Sequence, residues 1–187
     1  MFYQKNGFTI IEMIVAVAII SIMAVLILAN YNQGRSQLSV DGVAQALMAD
    51  LRQAQSMALA GALTNDKYGG YGIYSDNTTQ YDLFFNENEN IENNGCQKNG
   101  FEYSSDSGSN GLLIKRVSLP NNINISFYDS NNNSVFDNVF FVPPQPKTCI
   151  GNDANNESMT ISLTDNSSGA EKTIIVTKNG VIEKGSN

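Results

Sequence analysis
The chain contains no histidine and no tryptophan, and only two cysteines and four prolines among its 187 residues. Without histidine, the usual general base and commonest metal ligand is missing. Cys96 and Cys149 are too far apart for a C-x-x-C redox or metal pair. No nucleophile elbow or metal-ligand cluster is present, so an anchored enzyme has little support. Positive charge is scarce: 11 basic residues face 18 acidic ones, for a net charge of −7. That balance disfavours nonspecific nucleic-acid binding, which depends on neutralising phosphates.

What is present is concentrated at the N-terminus. Gly7-Phe8-Thr9-Ile10-Ile11-Glu12 opens an apolar run, Met13 to Ala29, with no charged residue. Phe8 to Tyr31 would form a helix about 36 Å long at 1.5 Å per residue, enough to cross a hydrocarbon core of roughly 30 Å. The run is longer than a secretory signal core, lacks an A-x-A-like end, and contains Glu12. A carboxylate in such a segment costs about 2.5–3.5 kcal/mol on insertion scales, which marks Glu12 as a functional residue.

These residues, from Met1 through Gly7 into Phe8-Thr9-Ile10-Ile11-Glu12-Met13-Ile14-Val15, resemble the class III signal of type IV pilins and type II secretion pseudopilins. The resemblance implies that a prepilin peptidase cleaves between Gly7 and Phe8 and that the new Phe8 terminus is N-methylated. Glu12 takes the place of the family's glutamate. Cleavage would set an ammonium on Phe8 in the same apolar layer as Glu12, and buried ions persist only when paired. Phe8 of an incoming subunit could meet Glu12 of an assembled one. The rival is a pair within one helix, since the two residues lie one turn apart.

Beyond Tyr31 the helical pattern becomes amphipathic. Val40, Val43, Leu47, Leu51, Ala54 and Ala58 make an apolar stripe, Asp41, Gln45, Asp50, Arg52 and Gln55 fall on other faces, and Gly61 is the expected stop. Strands are expected at 72–74 and 81–85 around a polar turn at 76–79, then at 112–117, 123–128, 139–142, 159–163 and 173–177. Asn179-Gly180 predicts a two-residue hairpin turn before a last strand at 181–183. Residues 86–111 read as a long polar loop. The expected fold class is α+β: a long N-terminal helix packed on an antiparallel β-sheet or β-sandwich head, the pilin fold that the resemblance implies. The expected division is a leader at 1–7, a membrane and assembly helix at 8–31, the amphipathic half of the helix at 32–62 and a β-rich head at 63–187.

A finer resemblance is to the FimT/GspH family of minor pilins and pseudopilins. It rests on Ala49-Asp50-Leu51-Arg52-Gln53-Ala54-Gln55-Ser56, on Ser118-Leu119-Pro120, on Phe140-Phe141-Val142-Pro143 and on the terminal hairpin. Some such proteins bind DNA through arginines in that hairpin. Here Val181 and Glu183 stand in their place, so DNA uptake is disfavoured. An exported head makes a Cys96–Cys149 disulfide the expected state, with two separate thiols as the alternative. Asp129, Asn131, Asn133 and Asp137 have the spacing of a calcium loop. However, Ser134 replaces its glycine, Phe140 stands at the bidentate glutamate position, and asparagine runs are also ordinary turn formers. A weaker string runs from Asn86 through Asn88 and Asn90 to Glu92. No other cofactor is expected.

The reading that follows is a structural subunit, not an enzyme, that polymerises into a type IV pilus or secretion pseudopilus. Its expected partners are other pilins or pseudopilins, the prepilin peptidase and an assembly platform. It would cross the inner membrane once, with its head outside, until extracted into a filament. The alternative is a tip adhesin, ligand-binding or DNA-uptake subunit on the same anchor.

Overall fold
A computed structural model describes residues 8–64, 69–86, 111–135, 138–143, 147–151 and 157–185. One helix, α1, runs unbroken over Ile10–Leu59, about 75 Å at 1.5 Å per residue. It contains no proline. At its far end Gly61 adopts φ +58°, Gly61 N–H donates to the Ala58 carbonyl at 3.1 Å, and Ala62 N–H donates to the Met57 carbonyl at 3.0 Å. This is a Schellman closure, and it explains the expected stop at glycine.

Among the described residues ten strands follow, all paired antiparallel in two five-stranded sheets. The first sheet orders β3 (Gly111–Ser118), β2 (Gln80–Asn86), β1 (Gly70–Tyr74), β6 (Asn138–Val142) and β7 (Lys147–Ile150). The second orders β10 (Ile182–Lys184), β9 (Glu171–Thr177), β8 (Ser158–Asp165), β4 (Ile123–Tyr128) and β5 (Ser134–Val135). The helix lies against β1 and β6 of one sheet and against β8, β9 and β10 of the other. Ser36, Val40, Ala44, Leu47, Leu51, Ala54 and Ala58 are buried at steps of three and four, which places one face of the helix inside the head. Ile123, Ile125 and Phe127 alternate inward from β4, as do Met159, Ile161 and Leu163 from β8.

A second apolar layer lies on the other side of the first sheet. Phe84, Gly72, Phe140 and Cys149 are cross-strand neighbours in one row, and Phe84 stacks on Phe140 with centroids 5.6 Å apart. A Cβ on Gly72 would stand 2.5 Å from the Val139 carbonyl oxygen and 3.0 Å from each ring. Only glycine allows the rings to close over that strand. This layer covers the second face of β1 and β6, which is why 139–142 reads as a continuous apolar run rather than an alternating one.

Four expectations need correction. Ala44, not Val43, is the buried member of the stripe, and Val43 is half-buried. Asp50, expected on a face other than the apolar stripe, is itself buried, at 5% exposed, and packs toward the first sheet. The two short strands β5 and β7 carry too few residues to show a period in sequence. The last hairpin turns over three residues instead of two. Thr177 N–H donates to the Val181 carbonyl at 3.0 Å and Gly180 N–H to the Thr177 carbonyl at 2.8 Å, with Gly180 at φ +79°. That is a type I turn closed by a left-handed glycine bulge. The turn residues were legible; the loop length depended on strand register.

Candidate membrane anchor and assembly segment
Ile10–Ile27 is long and apolar enough to cross a membrane, and none of it is buried in the fold. Every large apolar side chain from Phe8 to Ile27 is at least half exposed. Leaving that much hydrocarbon in water is unfavourable by about 25 cal/mol per Å², so the segment requires a lipid or protein environment that the head does not supply. It fits a membrane anchor.

The start of the helix is built by two polar residues. Thr9 is the N-cap, with extended φ −80° and ψ 153°. Its N–H and its Oγ1 hydroxyl both donate to Glu12 Oε2, each at 2.8 Å, and Glu12 N–H donates back to Thr9 Oγ1 at 3.3 Å. This reciprocal capping box satisfies donors that a helix otherwise leaves open. Sequence reasoning isolated Glu12 but missed Thr9, although the T-x-x-E spacing was there to read. Phe8 precedes the helix, is 84% exposed, and is not a donor to Glu12.

Where the helix enters the head, it is held by a buried carboxylate. Asp165 accepts hydrogen bonds from Ser36 Oγ, from Asn122 Nδ2 at 2.8 Å, and from the backbone N–H groups of Ser167 at 2.7 Å and Ser168 at 3.3 Å. The Ser167 hydroxyl donates as well. Led by the Ser167 and Ser36 hydroxyls, these donors hold its pKa far below the ordinary carboxylate range. Three elements therefore meet at one anion: α1, the turn before β4 and the turn after β8.

Two further braces run along the helix. Asp50 accepts from the Tyr81 hydroxyl at 2.8 Å and from Lys115 Nζ at 2.8 and 2.9 Å, tying α1 to β2 and β3. Burial first, then Asp50, pushes the Tyr81 phenol well above its usual range, so it stays a donor. The terminal hairpin is strapped down by Lys184 on Asp41 at 2.9 Å and by Gln55 Nε2 on the Gly180 carbonyl at 2.8 Å. Lys172 stands 3.9 Å from Asp41, and Lys178 stands 3.7 Å from Glu157. The lysines of this hairpin thus stand beside the chain's own carboxylates.

Cys149 is disulfide-bonded and buried beside Phe84, Phe140 and Val142; Cys96 lies outside the described residues, as do Gly7 and Asp137. Asp129 Oδ1 accepts the backbone N–H groups of Asn131 at 2.9 Å and Asn133 at 2.8 Å, and Oδ2 accepts Asn133 Nδ2 at 3.0 Å. Asn132 follows the left-handed path at φ +62°. The Asn133 donors lead in lowering the Asp129 pKa. The described part of the candidate calcium string is an asparagine-rich turn whose carboxylate accepts N–H donors. Asn86 is the buried last residue of β2, and the rest of the weaker string lies outside the described residues.

Residues 3–28 match the family model of the prokaryotic N-terminal methylation motif. No curated protein and no solved structure matches the chain.

Proposed function
We infer that this chain, a type IV pilin-like precursor by its N-terminal methylation motif, is a structural subunit, a minor pilin or pseudopilin. It is cleaved between Gly7 and Phe8 by a prepilin peptidase, methylated at Phe8, and polymerised with other pilins or pseudopilins by an assembly platform. Before extraction, the apolar half of α1 spans the inner membrane with the head outside. In the filament the same half is bundled inside, with the two-sheet head at the surface. The boundaries are a leader at 1–7, the anchor at 8–31, the amphipathic half at 32–62 and the head at 63–187. The terminal hairpin and the helix segment Ala49–Ser56 support a place in the FimT/GspH group. Cys96, the one other cysteine, is the partner of Cys149.

The observation that carries this reading is the pairing of an apolar helix that the described part of the head leaves uncovered with a single carboxylate at its entrance. A membrane satisfies the first and a neighbour's Phe8 ammonium the second. A glutamate left unpaired in hydrocarbon costs several kcal/mol, so subunit addition that pairs it is favourable. The test is Glu12→Ala. The variant should insert and fold as the parent does, yet be almost absent from sheared filaments. Mass spectrometry of filament subunits should find methylated Phe8 as the first residue. A mature chain beginning at Met1 would sink the proposal.

A further inference from the structure
We propose that Thr9 is a positioning residue for Glu12 that prepares the carboxylate for the neighbour's ammonium; this rests on the assembly reading above. Glu12 Oε2 takes both of the hydrogen bonds that Thr9 supplies, one from the backbone N–H and one from the hydroxyl. Oε1 accepts none among the described residues. A free glutamate side chain would sample several rotamers and, in a low-dielectric layer, would seek any donor. Thr9 removes that freedom: two hydrogen bonds to one oxygen fix the side chain against the first turn, and such charge-assisted bonds are roughly twice as strong as neutral ones.

The other oxygen then remains as an acceptor for an incoming cation. One oxygen is held by Thr9 and the other is left for a partner, so pairing with an ammonium adds a bond without first breaking one. Thr9 can do this because it is the N-cap. Its extended backbone turns its N–H back toward the third helical residue, and its β-hydroxyl reaches the same oxygen. Serine preserves both donors and valine only the backbone one, so the hydroxyl's part is separable with almost no change of shape.

The experiment follows tagged full-length chain, expressed beside the untagged chain and its natural co-subunits, into sheared filaments. Thr9→Val should insert, be processed and fold like the parent but be incorporated about tenfold less or worse, the scale of one lost hydrogen bond to a charged group. Thr9→Ser should restore incorporation. In a Glu12→Gln background, Thr9→Val should cost nothing further, because a residue that acts through Glu12 has nothing left to position. Incorporation of Thr9→Val at the parent level would overturn the proposal, as would an equal loss in both backgrounds, which would make Thr9 a helix-start residue only. A defect in processing or insertion of Thr9→Val would overturn it too, by placing the role before assembly. Normal incorporation of Glu12→Gln alone would instead bring down the assembly reading itself.

Discussion

Removing the Asp50 carboxylate tests whether the head is braced to its helix by a buried polar bond. Asp50 is almost wholly buried, and it holds the Tyr81 hydroxyl and Lys115 Nζ at 2.8 Å. Asp50→Ala has three consequences of unequal size. The Tyr81 hydroxyl loses a charged acceptor inside the core, which costs about 1.5–3 kcal/mol. Lys115 is half exposed, so its ammonium returns to water at a cost of roughly 0–1 kcal/mol. The removed carboxylate no longer has to be desolvated, which offsets part of the loss. The tyrosine effect should dominate, giving a net destabilisation of about 2–3 kcal/mol.

For a chain of this size that is a fall in melting temperature of about 4–12 °C. It would be followed by near-ultraviolet circular dichroism of the full chain in detergent. Tyr81→Phe should lose about 1.5–3 kcal/mol alone, and adding Asp50→Ala to it should cost little more. Additivity of the two changes within about 0.5 kcal/mol would refute the brace, because it would mean the two groups do not meet in solution.

Gly72→Ala should destabilise the head by about 1–3 kcal/mol, since its Cβ would press on the Val139 carbonyl and both stacked rings; urea unfolding measures it. Asp165 keeps its charge in the fold at a pH where the unfolded chain already takes up a proton. Its stabilisation is therefore full above the ordinary carboxylate range and is lost only as pH falls through the lower folded value. Asp165→Asn should accordingly melt below the parent at neutral pH, with the gap closing in strong acid. Replacing either Cys96 or Cys149 by serine should cost about 4 kcal/mol, the value for closing a long loop, and the two variants should melt alike. Added calcium should leave the melting temperature unchanged, because Ser134 and Phe140 stand where a calcium loop has its glycine and its bidentate glutamate.

Much of the outline was legible because it depends on local periodicity. The 3.6-residue stripe beyond Tyr31 and the stop at Gly61 mark the helix. The alternation in β4 and β8 marks strands whose two faces meet different surroundings. Where a segment is buried on both faces, as in β1 and β6, the pattern shows a strand but cannot say what lies on its second side. The turn at Gly180 shows the same boundary: the glycine was evident, whereas its loop length follows from the pairing of Thr177 with Val181.

Of the anchor, the sequence by itself determined the apolar length, the position of Glu12 and the T-x-x-E spacing that caps the helix, because each is set by neighbours within one turn. The tertiary structure alone decided that Asp50 goes inward to Tyr81, that Asp165 gathers Ser36 and Asn122, and that Phe84 and Phe140 close over Gly72. Those contacts join residues far apart along the chain. A polar side chain's burial depends on whether a distant partner arrives to satisfy it, and no local pattern records that arrival.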